Sequence, residues 1–565
     1  MHNWKIADQL TSDVQTKFPD INRVILSLLV NRGLGSKQEI DTFLNPKYED
    51  LHDPFLFRDM QKLVDRIKQA CEKSESVFVY GDYDADGVCS SVLMVETLRN
   101  IGIKNVDVYI PHREKEGYGL NKSAIDFISS KQTKLLITVD CGTSNVEEVA
   151  YAKESGLDVI ICDHHEEPQE LPKDVTAFLN PHLTGETYPF KNLAAVGVVF
   201  KVVQALWKSF DLPEGKEKWF LDLVAIATVA DMMDLQGENR VFVKFGLKVL
   251  NKTQRLGLKS LISFIETKSQ ELGVYEIGFM IAPRLNAAGR LDHANAAYEL
   301  LETKDKQKAS EFSQGLNETN LSRQAETQRL LSEALDQVKP QLESNKVLVA
   351  LGDTWPVGVV GLVSGRITDI FHRPSLVITK TEKGLTGSGR SIRKFNITQA
   401  LQKSSKYLSR FGGHEGACGF TLKDESMLED FKNKMNEVAN TELTEDDLVK
   451  QLIIDAELTL DQIDWDLVNE LEKLKPFGMG NITPKFASFG VRVEDIFLMG
   501  KEKNHMRVKV DQNGAAHSAV AFGFGEKYKD KLNQGDLIDI VYDISINEWK
   551  GKKDIQLKII DMKTR

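Results

Sequence analysis

The chain has 565 residues, enough for roughly three or four domains of about 100–200 residues each. Hydrophobic residues make up 41% and charged residues 27%, a globular balance, and no apolar stretch approaches the ~18 residues of a membrane span. Because the N-terminus lacks the pattern of a signal peptide and five scattered cysteines include no C-x-x-C pair, we expect a cytoplasmic protein without a disulfide framework or thiolate zinc site.

The net charge of −11, taken alone, argues against nucleic acid as a partner. However, residues 346–423 contain 12 Lys and Arg against 4 Asp and Glu, a local balance of +8. Such asymmetry is typical of a face that binds a polyanion, with a merely solvated basic surface as the alternative.

Residues 1–70 predict a helical extension, with helices near 24–31, 36–43 and 60–71. From residue 76 to 165, short apolar runs alternate with helical stretches. The predicted strands are 77–80, 106–110, 135–139 and 159–162, and the predicted helices are 88–100, 122–130 and 146–154. This alternation indicates βαβ units and a parallel sheet covered on both faces, whose ligands collect beyond the carboxyl ends of the strands.

Acidic residues and histidines follow three of these four strands, and a later apolar helix at 221–230 stops at another acid. The residues are Asp82, Asp84, Asp86, Asp140, Asp163, His164, His165 and Asp231. A single D-x-D motif is more often a solvated acidic turn, but convergence of several such groups on one sheet edge predicts a metal site. Oxygen and imidazole donors favour Mn²⁺ or Mg²⁺, and the number of candidate ligands predicts two ions. Two such ions can activate a water molecule for an in-line displacement at phosphorus.

Residues 190–295 are predicted to be mostly helical, with helices at 196–210, 220–230 and 241–250. At their end, small residues between two arginines at 282–290 predict a loop close to an anion, with a solvated surface turn as the alternative. The polar stretch 296–338 has helical apolar spacing and predicts a connector between domains.

A second α/β segment follows, with strands at 347–351 and 376–379 and a helix near 359–370. Its glycine-rich stretches, 386–391 and 411–420, predict turns whose backbone N–H groups can approach a phosphate. The forked guanidinium of Arg390 would match the phosphate oxygens. The last segment predicts a small barrel such as an OB-fold, able to carry single strands, or a generic interaction barrel. Its predicted strands are 451–455, 507–510, 518–522, 537–542 and 555–560.

The motifs D-Y-D-A-D-G at 82–87, D-C-G at 140–142 and D-H-H at 163–165 resemble the DHH phosphoesterase superfamily. Those at 283–290, 388–391 and 412–420 resemble its DHH-associated domain, and P-F-G-M-G-N at 476–481 with the terminal β segment is similar to bacterial RecJ exonucleases. We accordingly divide the chain into an N-terminal helical extension (1–70), a DHH catalytic domain (71–295), a helical connector (296–342), a DHH-associated nucleic-acid-binding domain (343–445) and an OB-like domain (446–565).

This resemblance implies a single-stranded-DNA-specific exonuclease that works 5′ to 3′, releases nucleoside 5′-monophosphates and uses two Mn²⁺ or Mg²⁺ ions. It also implies a role in DNA recombination and repair, with single-strand binding protein and a recombination helicase as partners and no membrane association.

The resemblance likewise implies a role for each site residue. Asp82 and Asp84 are expected to bind one ion, Asp86, His164 and Asp231 the other, and Asp140 both, although the division of the first three acids stays open. His165 is expected to contact the scissile phosphate and Asp163 to orient the histidines. The residues expected to hold DNA and its 5′ phosphate are Arg284, Asn286, Arg290, Ser388, Arg390 and His414.

Two other functions are compatible with the motifs. One is a phosphodiesterase of the same superfamily acting on cyclic dinucleotides or short oligonucleotides, which has no need of the extra barrel. The other is a scaffold without catalysis, like the RecJ-related replication proteins of eukaryotes, which the intact acids and histidines disfavour.

Overall fold

The computed structural model describes residues 3–8, 10, 12–113, 115–266, 271–291, 295–549 and 551–565, without the side chains of residues 12, 290, 291 and 549. The N-terminal segment packs against two different parts of this molecule. Its elements are β1 (Asn3–Ile6), α1 (Ser12–Lys17), α2 (Arg23–Asn31), α3 (Lys37–Leu44) and α4 (Met60–Glu72). The buried side chains of α2 and α3 share a core with the C-terminal barrel, whereas those of α4 join the core of the first sheet.

The first sheet has five strands and is parallel throughout, as predicted. Its strands are β2 (Ser76–Gly81), β3 (Val106–Tyr109), β4 (Thr133–Val139), β5 (Asp158–Cys162) and β6 (Ala177–Leu179), in the order β3-β2-β4-β5-β6. The helices around it are α5 (Ala85–Asn100), α6 (Lys122–Ser130), α7 (Val146–Glu154), α8 (Ala195–Ser209), α9 (Leu221–Ala230), α10 (Gly237–Leu250) and α11 (Leu256–Ile262). Alternate residues of β2 enter cores on opposite faces, which explains why its run from Val77 to Tyr80 is apolar without interruption.

Helices continue where we predicted a loop at 282–290, so that prediction is wrong. The elements are α12 (Val274–Glu276), a π-helical turn (Ile277–Ile281), α13 (Ala282–Leu291), α14 (Asn295–Glu302) and α15 (Lys306–Val338). Alanine, leucine and arginine favour helix. The glycine is needed for packing, because a Cβ at Gly289 would lie 2.7 Å from the carbonyl oxygen of Tyr83. The polar helix α15 confirms the predicted helical connector.

The second sheet combines parallel and antiparallel strands. The elements are β7 (Leu348–Gly352), α16 (Val357–Phe371), β8 (Ser375–Thr381), β9 (Gly384–Arg390), α17 (Ile397–Lys403), β10 (Leu408–His414), β11 (Ala417–Leu422) and α18 (Leu428–Glu442), with strand order β10-β11-β9-β8-β7. The glycine-rich stretches predicted as turns are therefore strands, a second correction. Their glycines make room for neighbours, since a Cβ at Gly387 would lie 2.5 Å from the ring of Phe420.

The C-terminal segment closes into a barrel in which β14-β15-β16-β18-β17 returns to β14, confirming the predicted OB-like architecture. The elements are β12 (Gln451–Ile454), β13 (Ala456–Glu457), α19 (Trp465–Lys473), β14 (Phe486–Met499), β15 (His505–Gln512), β16 (Ala515–Ala521), α20 (Gly525–Tyr528), β17 (Leu537–Trp549) and β18 (Lys552–Thr564).

One strand prediction in this segment was wrong, and one strand was missed. The run 451–455 is not a barrel strand, because β12 pairs with β1 from the other end of the chain. We did not predict β14, whose alternation of apolar and polar residues is interrupted by register shifts near Gly490 and Glu494.

Candidate metal centre and adjacent cavity

Three strands of the first sheet deliver acidic and imidazole side chains to one edge. Asp82 follows β2, Asp140 follows β4 and His164 lies two residues beyond β5. The turn after β2 is tight, because a Cβ at Gly87 would lie 2.5 Å from the carbonyl oxygen of Asp82. Asp84 Oδ1 accepts hydrogen bonds from the N–H groups of residues 86 and 87, at 2.8 and 3.2 Å, and so caps α5.

His164 lies at the centre of the cluster. Its Nε2 atom is 3.3 Å from Asp140 Oδ1, 3.7 Å from Asp231 Oδ2 and 3.9 Å from Asp86 Oδ2. The possible ligand atoms fall into three sets, each with all atoms within 4.8 Å of one another: Asp86–His164–Asp231, Asp82–Asp84–Asp140 and Asp140–His164–His165. All six residues predicted to bind metal therefore meet in one place.

Burial gives this cluster the electrostatics of a cation site. Burial, together with the charges of neighbouring carboxylates, raises the pKa of Asp86 to about 7 and that of Asp231 to about 8. It also lowers the pKa of His164 to about 4, which keeps the imidazole neutral and able to coordinate. Asp82 Oδ1 is buried without a hydrogen-bond partner. Crowded carboxylates, a neutral imidazole and an unpaired oxygen fit divalent cations such as Mn²⁺ or Mg²⁺.

A buried carboxylate orients both histidines. Asp163 Oδ1 lies 2.7 Å from His165 Nδ1 and accepts the N–H of His164, while Asp163 Oδ2 accepts the N–H of Thr143 at 3.0 Å. Burial alone would lower the pKa of His165, but the hydrogen bond and the charge of Asp163 raise it to about 9. His165 is therefore cationic at neutral pH.

Tyr118 completes this side of the cluster and was missed in the sequence, where its surroundings are polar and irregular. Its hydroxyl lies 3.1 Å from Nδ1 and 3.3 Å from Nε2 of His165 and donates to the carbonyl oxygen of Asp140 at 3.2 Å. The residue as a whole is 42% exposed, so Tyr118 lies at the solvent side of the cluster.

A cavity of about 480 Å³ lies on the second domain, and Arg113 of the first domain contributes to its lining. Its polar lining includes Arg113 from the first domain and Ser388, Arg390 and Arg410 from the second, and no carboxylate of a described residue lines it. Arg390 Nη1 donates to Ser388 Oγ at 3.1 Å. Three arginines without an acidic partner in the lining suit an anion with several oxygens, such as a phosphate.

Arg113 joins the cavity to the cluster. Burial is the main cause of both the raised pKa of Asp82 and the lowered pKa of Arg390, and the charge of Arg113 acts on both groups. Its guanidinium lies 5.0 Å from the ring centre of Tyr83, inside the D-Y-D motif. Sequence reasoning missed Arg113, although it lies shortly after 106–110, the one predicted strand to whose end we assigned no function.

Among the described side chains predicted to hold DNA, those of Arg284, Asn286 and His414 do not line this cavity. Arg284 donates to Asn317 Oδ1 and the carbonyl oxygen of Met280, at 3.0 and 2.8 Å. Asn286 Oδ1 accepts the N–H of Ala85 at 2.7 Å and so supports the D-Y-D-A-D-G turn. His414 is exposed at the end of β10, and the side chain of Arg290 lies outside the described residues.

An exposed apolar surface begins immediately after Asp231. A groove of about 600 Å³ is lined by residues that include Met232, Tyr275, Phe279, Met479 and Ile482. Tyr275 and Phe279 are 60% and 68% exposed, and their rings stack with centres 4.8 Å apart. Exposed stacked rings suit contact with the faces of nucleobases. Sequence reasoning missed this surface because its residues are far apart in the chain.

Three family models match the chain: "DHH family, N-terminal domain" at residues 76–228, "DHHA1 domain" at 344–441 and "RecJ OB domain" at 454–561. The single-stranded-DNA-specific exonuclease RecJ of Bacillus subtilis is 40% identical over 562 residues, which cover 99% of this chain and 70% of that protein. The protein of that name from Haemophilus influenzae is 30% identical, with 94% of both chains covered. The chain belongs to the RecJ family of single-stranded-DNA-specific exonucleases.

Solved structures of RecJ from Thermus thermophilus share this fold. The complex with Mn²⁺ has a TM-score of 0.83 at 26% identity, with 99% of this chain and 79% of that chain covered. The complex with Mg²⁺ has a TM-score of 0.77 at 25% identity, with 99% and 78% covered. Family membership confirms the predicted resemblance, the fold class and the prediction of a metal-dependent exonuclease. Among the described residues, no helix is long and apolar enough to cross a membrane.

Proposed function

We propose that this chain digests single-stranded DNA from the 5′ end towards the 3′ end and releases nucleoside 5′-monophosphates, with two Mn²⁺ or Mg²⁺ ions as cofactors. One observation carries the proposal: Arg113 lines the arginine-lined cavity, and its guanidinium lies 5.0 Å from the ring centre of Tyr83, the residue between Asp82 and Asp84 of the metal cluster. A phosphate in that cavity would therefore lie beside the site of cleavage, as an enzyme that removes terminal nucleotides requires.

The sets of neighbouring ligand atoms support the expected division between the ions. Asp82 and Asp84 would hold one ion, Asp86, His164 and Asp231 the other, and Asp140 both. When bound, two divalent cations lower the pKa of a water and neutralise charge on the phosphoryl oxygens. Asp86 is held for this role by the N–H groups of residues 195 and 196, at 2.8 and 2.9 Å, at the start of α8.

His165 would donate from Nε2 to a non-bridging oxygen of the scissile phosphate. Asp163 engages Nδ1 and keeps the ring charged, so the proton on Nε2 stays available for a substrate oxygen. Such a donor stabilises negative charge as it develops in the transition state.

The cavity supports the proposed polarity. Arg113, Ser388, Arg390 and Arg410 would bind the terminal 5′ phosphate, which carries more negative charge than an internal phosphodiester. DNA contacts by Arg284, Asn286, Arg290 and His414 stay predictions. The apolar groove after Asp231 would stack the bases of the strand beyond the cleaved nucleotide, and the barrel would extend this path.

The cellular setting stays a set of predictions. A chromosomal substrate is the reason to expect the cytoplasm. Single-strand binding protein, a recombination helicase, and a role in recombination and repair rest on the resemblance alone.

The test is digestion of a 30-nucleotide strand labelled at either end, with Mn²⁺, Mg²⁺ or chelator. We expect the 5′ label to appear at once as a mononucleotide and the 3′ label to shorten stepwise, with no cleavage in chelator. Double-stranded DNA, RNA and a circular single strand serve as comparisons, and the circle should resist because it has no end. Equal cleavage of the circle, or of a dinucleotide and the 30-mer, would contradict the proposal.

A further inference from the structure

Asp231 differs from the other candidate metal ligands in its origin. The others follow strands of the parallel sheet, whereas Asp231 follows helix α9 and begins a turn to α10. Its side chain is 28% exposed, and the next residue, Met232, has a positive φ of 57°. The position of this carboxylate therefore depends on what holds residues 232–236.

That turn is docked on the P-F-G-M-G-N loop at 476–481, which leads into the barrel. The N–H of Leu235 donates to the carbonyl oxygen of Met479 at 2.8 Å, and Gln236 Nε2 donates to that of Gly480 at 2.9 Å. The approach is close, because a Cβ at Gly480 would lie 2.8 Å from the side chain of Asp234.

The loop is itself held by buried polar side chains. Asn481 is fully buried, and its Nδ2 donates to the carbonyl oxygens of Leu474 and Pro476, at 2.8 and 2.9 Å. Its Oδ1 accepts from Arg32 Nε at 2.8 Å. These partners come from the C-terminal end of α2 and from the segment after α19, so the support lies entirely outside the catalytic sheet.

Arg240 of α10 fastens the same region to the catalytic domain. It is 1% exposed, and its guanidinium donates four hydrogen bonds of 2.7–3.0 Å to backbone carbonyl oxygens. The acceptors belong to residues 43, 473, 474 and 475. A buried arginine whose hydrogen bonds all go to backbone carbonyl groups holds those backbone segments in place. Any displacement would leave N–H groups of a buried cation without hydrogen-bond acceptors, which is costly.

We propose that the P-F-G-M-G-N loop is a positioning element for Asp231, so that the barrel-bearing part of the chain sets the affinity for the ion held by Asp86, His164 and Asp231. This inference rests on the proposed two-ion function. The set Asp82–Asp84–Asp140 takes its residues from strand ends of the catalytic sheet, and no hydrogen bond between described residues joins it to the loop. A substitution that loosens the loop should therefore weaken binding of the ion held by the Asp231 set and leave binding of the other ion unchanged.

The experiment is a Mn²⁺ titration of the full chain without DNA, in which electron paramagnetic resonance counts free and bound ions. The variants are Gly480→Ala, which adds the clashing Cβ, and the milder Gln236→Ala, which removes one hydrogen bond and keeps the test open if the first does not fold. Gly514→Ala is the matched control, because Gly514 also has a positive φ, 80°, but nothing lies within 4 Å of the added Cβ.

We expect the wild type to bind two Mn²⁺ ions. In both loop variants the affinity for one of them should fall about 10–100-fold, the range seen when the residues that support a metal ligand are lost. In an Asp231→Asn background, Gln236→Ala should weaken Mn²⁺ binding no further. Wild-type affinities in both loop variants, or equal weakening of both ions, would overturn the positioning role alone. A wild type that binds no Mn²⁺ would instead overturn the proposed function.

Discussion

The Nδ1 atom of His165 lies 2.7 Å from Oδ1 of Asp163, a carboxylate with no exposure to solvent. This contact raises the pKa of the imidazole to about 9, against the effect of its burial. The positive charge of His165 at neutral pH is thus a property of the pair, and removing the carboxylate charge should change the pH range of activity.

We expect Asp163→Asn to lower kcat at pH 8 by about 10–100-fold, the range for an outer partner of a site histidine. In the variant, the hydrogen bond to a charged carboxylate is lost while the effect of burial stays, so the pKa of His165 should fall from about 9. The charged form, and with it activity, should then be lost as pH rises through that lower value. A pH–rate profile checks this, with the exposed Asp126→Asn as control; parallel profiles for both proteins would refute it.

Asp140→Asn should lower nuclease activity by roughly 10³-fold, because charge stabilisation by metal ions is worth several kcal/mol. Asp140 belongs to the set that also contains Asp82 and Asp84, and its Oδ1 lies 3.3 Å from Nε2 of His164 in the other ion's set, so binding of both Mn²⁺ ions should weaken. Single-turnover digestion and Mn²⁺ titration measure the two effects. Unchanged cleavage would exclude the two-ion mechanism.

Arg390→Ala should reduce the preference for a phosphorylated 5′ end more than it reduces metal affinity. The arginine lines the cavity and bonds to Ser388, but no described metal ligand contacts it by hydrogen bond. The measurement is kcat/KM on strands with and without a 5′ phosphate, using the exposed Arg393→Ala as the matched control. An equal loss on both strands would count against a 5′-phosphate site.

Phe279→Ala should weaken binding of a 30-nucleotide strand by about 1–3 kcal/mol, the usual cost of one lost base stack. Cleavage of a dinucleotide should change little, because a dinucleotide is too short to extend far along the groove. Fluorescence anisotropy and dinucleotide kinetics provide the comparison, and Phe264→Ala is a control at another exposed phenylalanine. Loss of dinucleotide cleavage alone would refute a stacking role.

Metal removal should destabilise the fold increasingly as pH rises. In the metal-free protein the pKa values of Asp86 and Asp231 are about 7 and 8, whereas an unfolded Asp titrates near ~3.9. Between these values the folded state binds more protons than the unfolded state, so its stability falls with increasing pH until about pH 8. Bound cations remove this dependence. The difference in Tm with and without Mn²⁺ should therefore grow from pH 5 to pH 8, and a constant difference would contradict it.

The parallel sheet and the candidate metal ligands at its edge could be predicted from the sequence alone. Both follow from local rules: buried strands are short apolar runs, and Asp82, Asp140 and His164 appear directly after them. Parallel strands bring their carboxyl ends together, so these side chains could be predicted to meet. The same local reasoning failed for residues 282–290 and for the glycine-rich stretches, where packing against distant residues selects helix and strand.

The residues that surround that cluster are brought there by contacts that exist only in the folded chain. Arg113 is a functional candidate because it lines a cavity together with Arg390, and Tyr118 because it contacts His165. Likewise, β1 pairs with β12 across nearly the whole chain, and Met479 meets Leu235 through the backbone. Such contacts join residues that are far apart in the chain, so they produce no local pattern of apolar and polar residues from which they could be predicted. The candidate metal ligands are therefore readable from the sequence, whereas the cavity and the loop proposed to position Asp231 are products of domain packing.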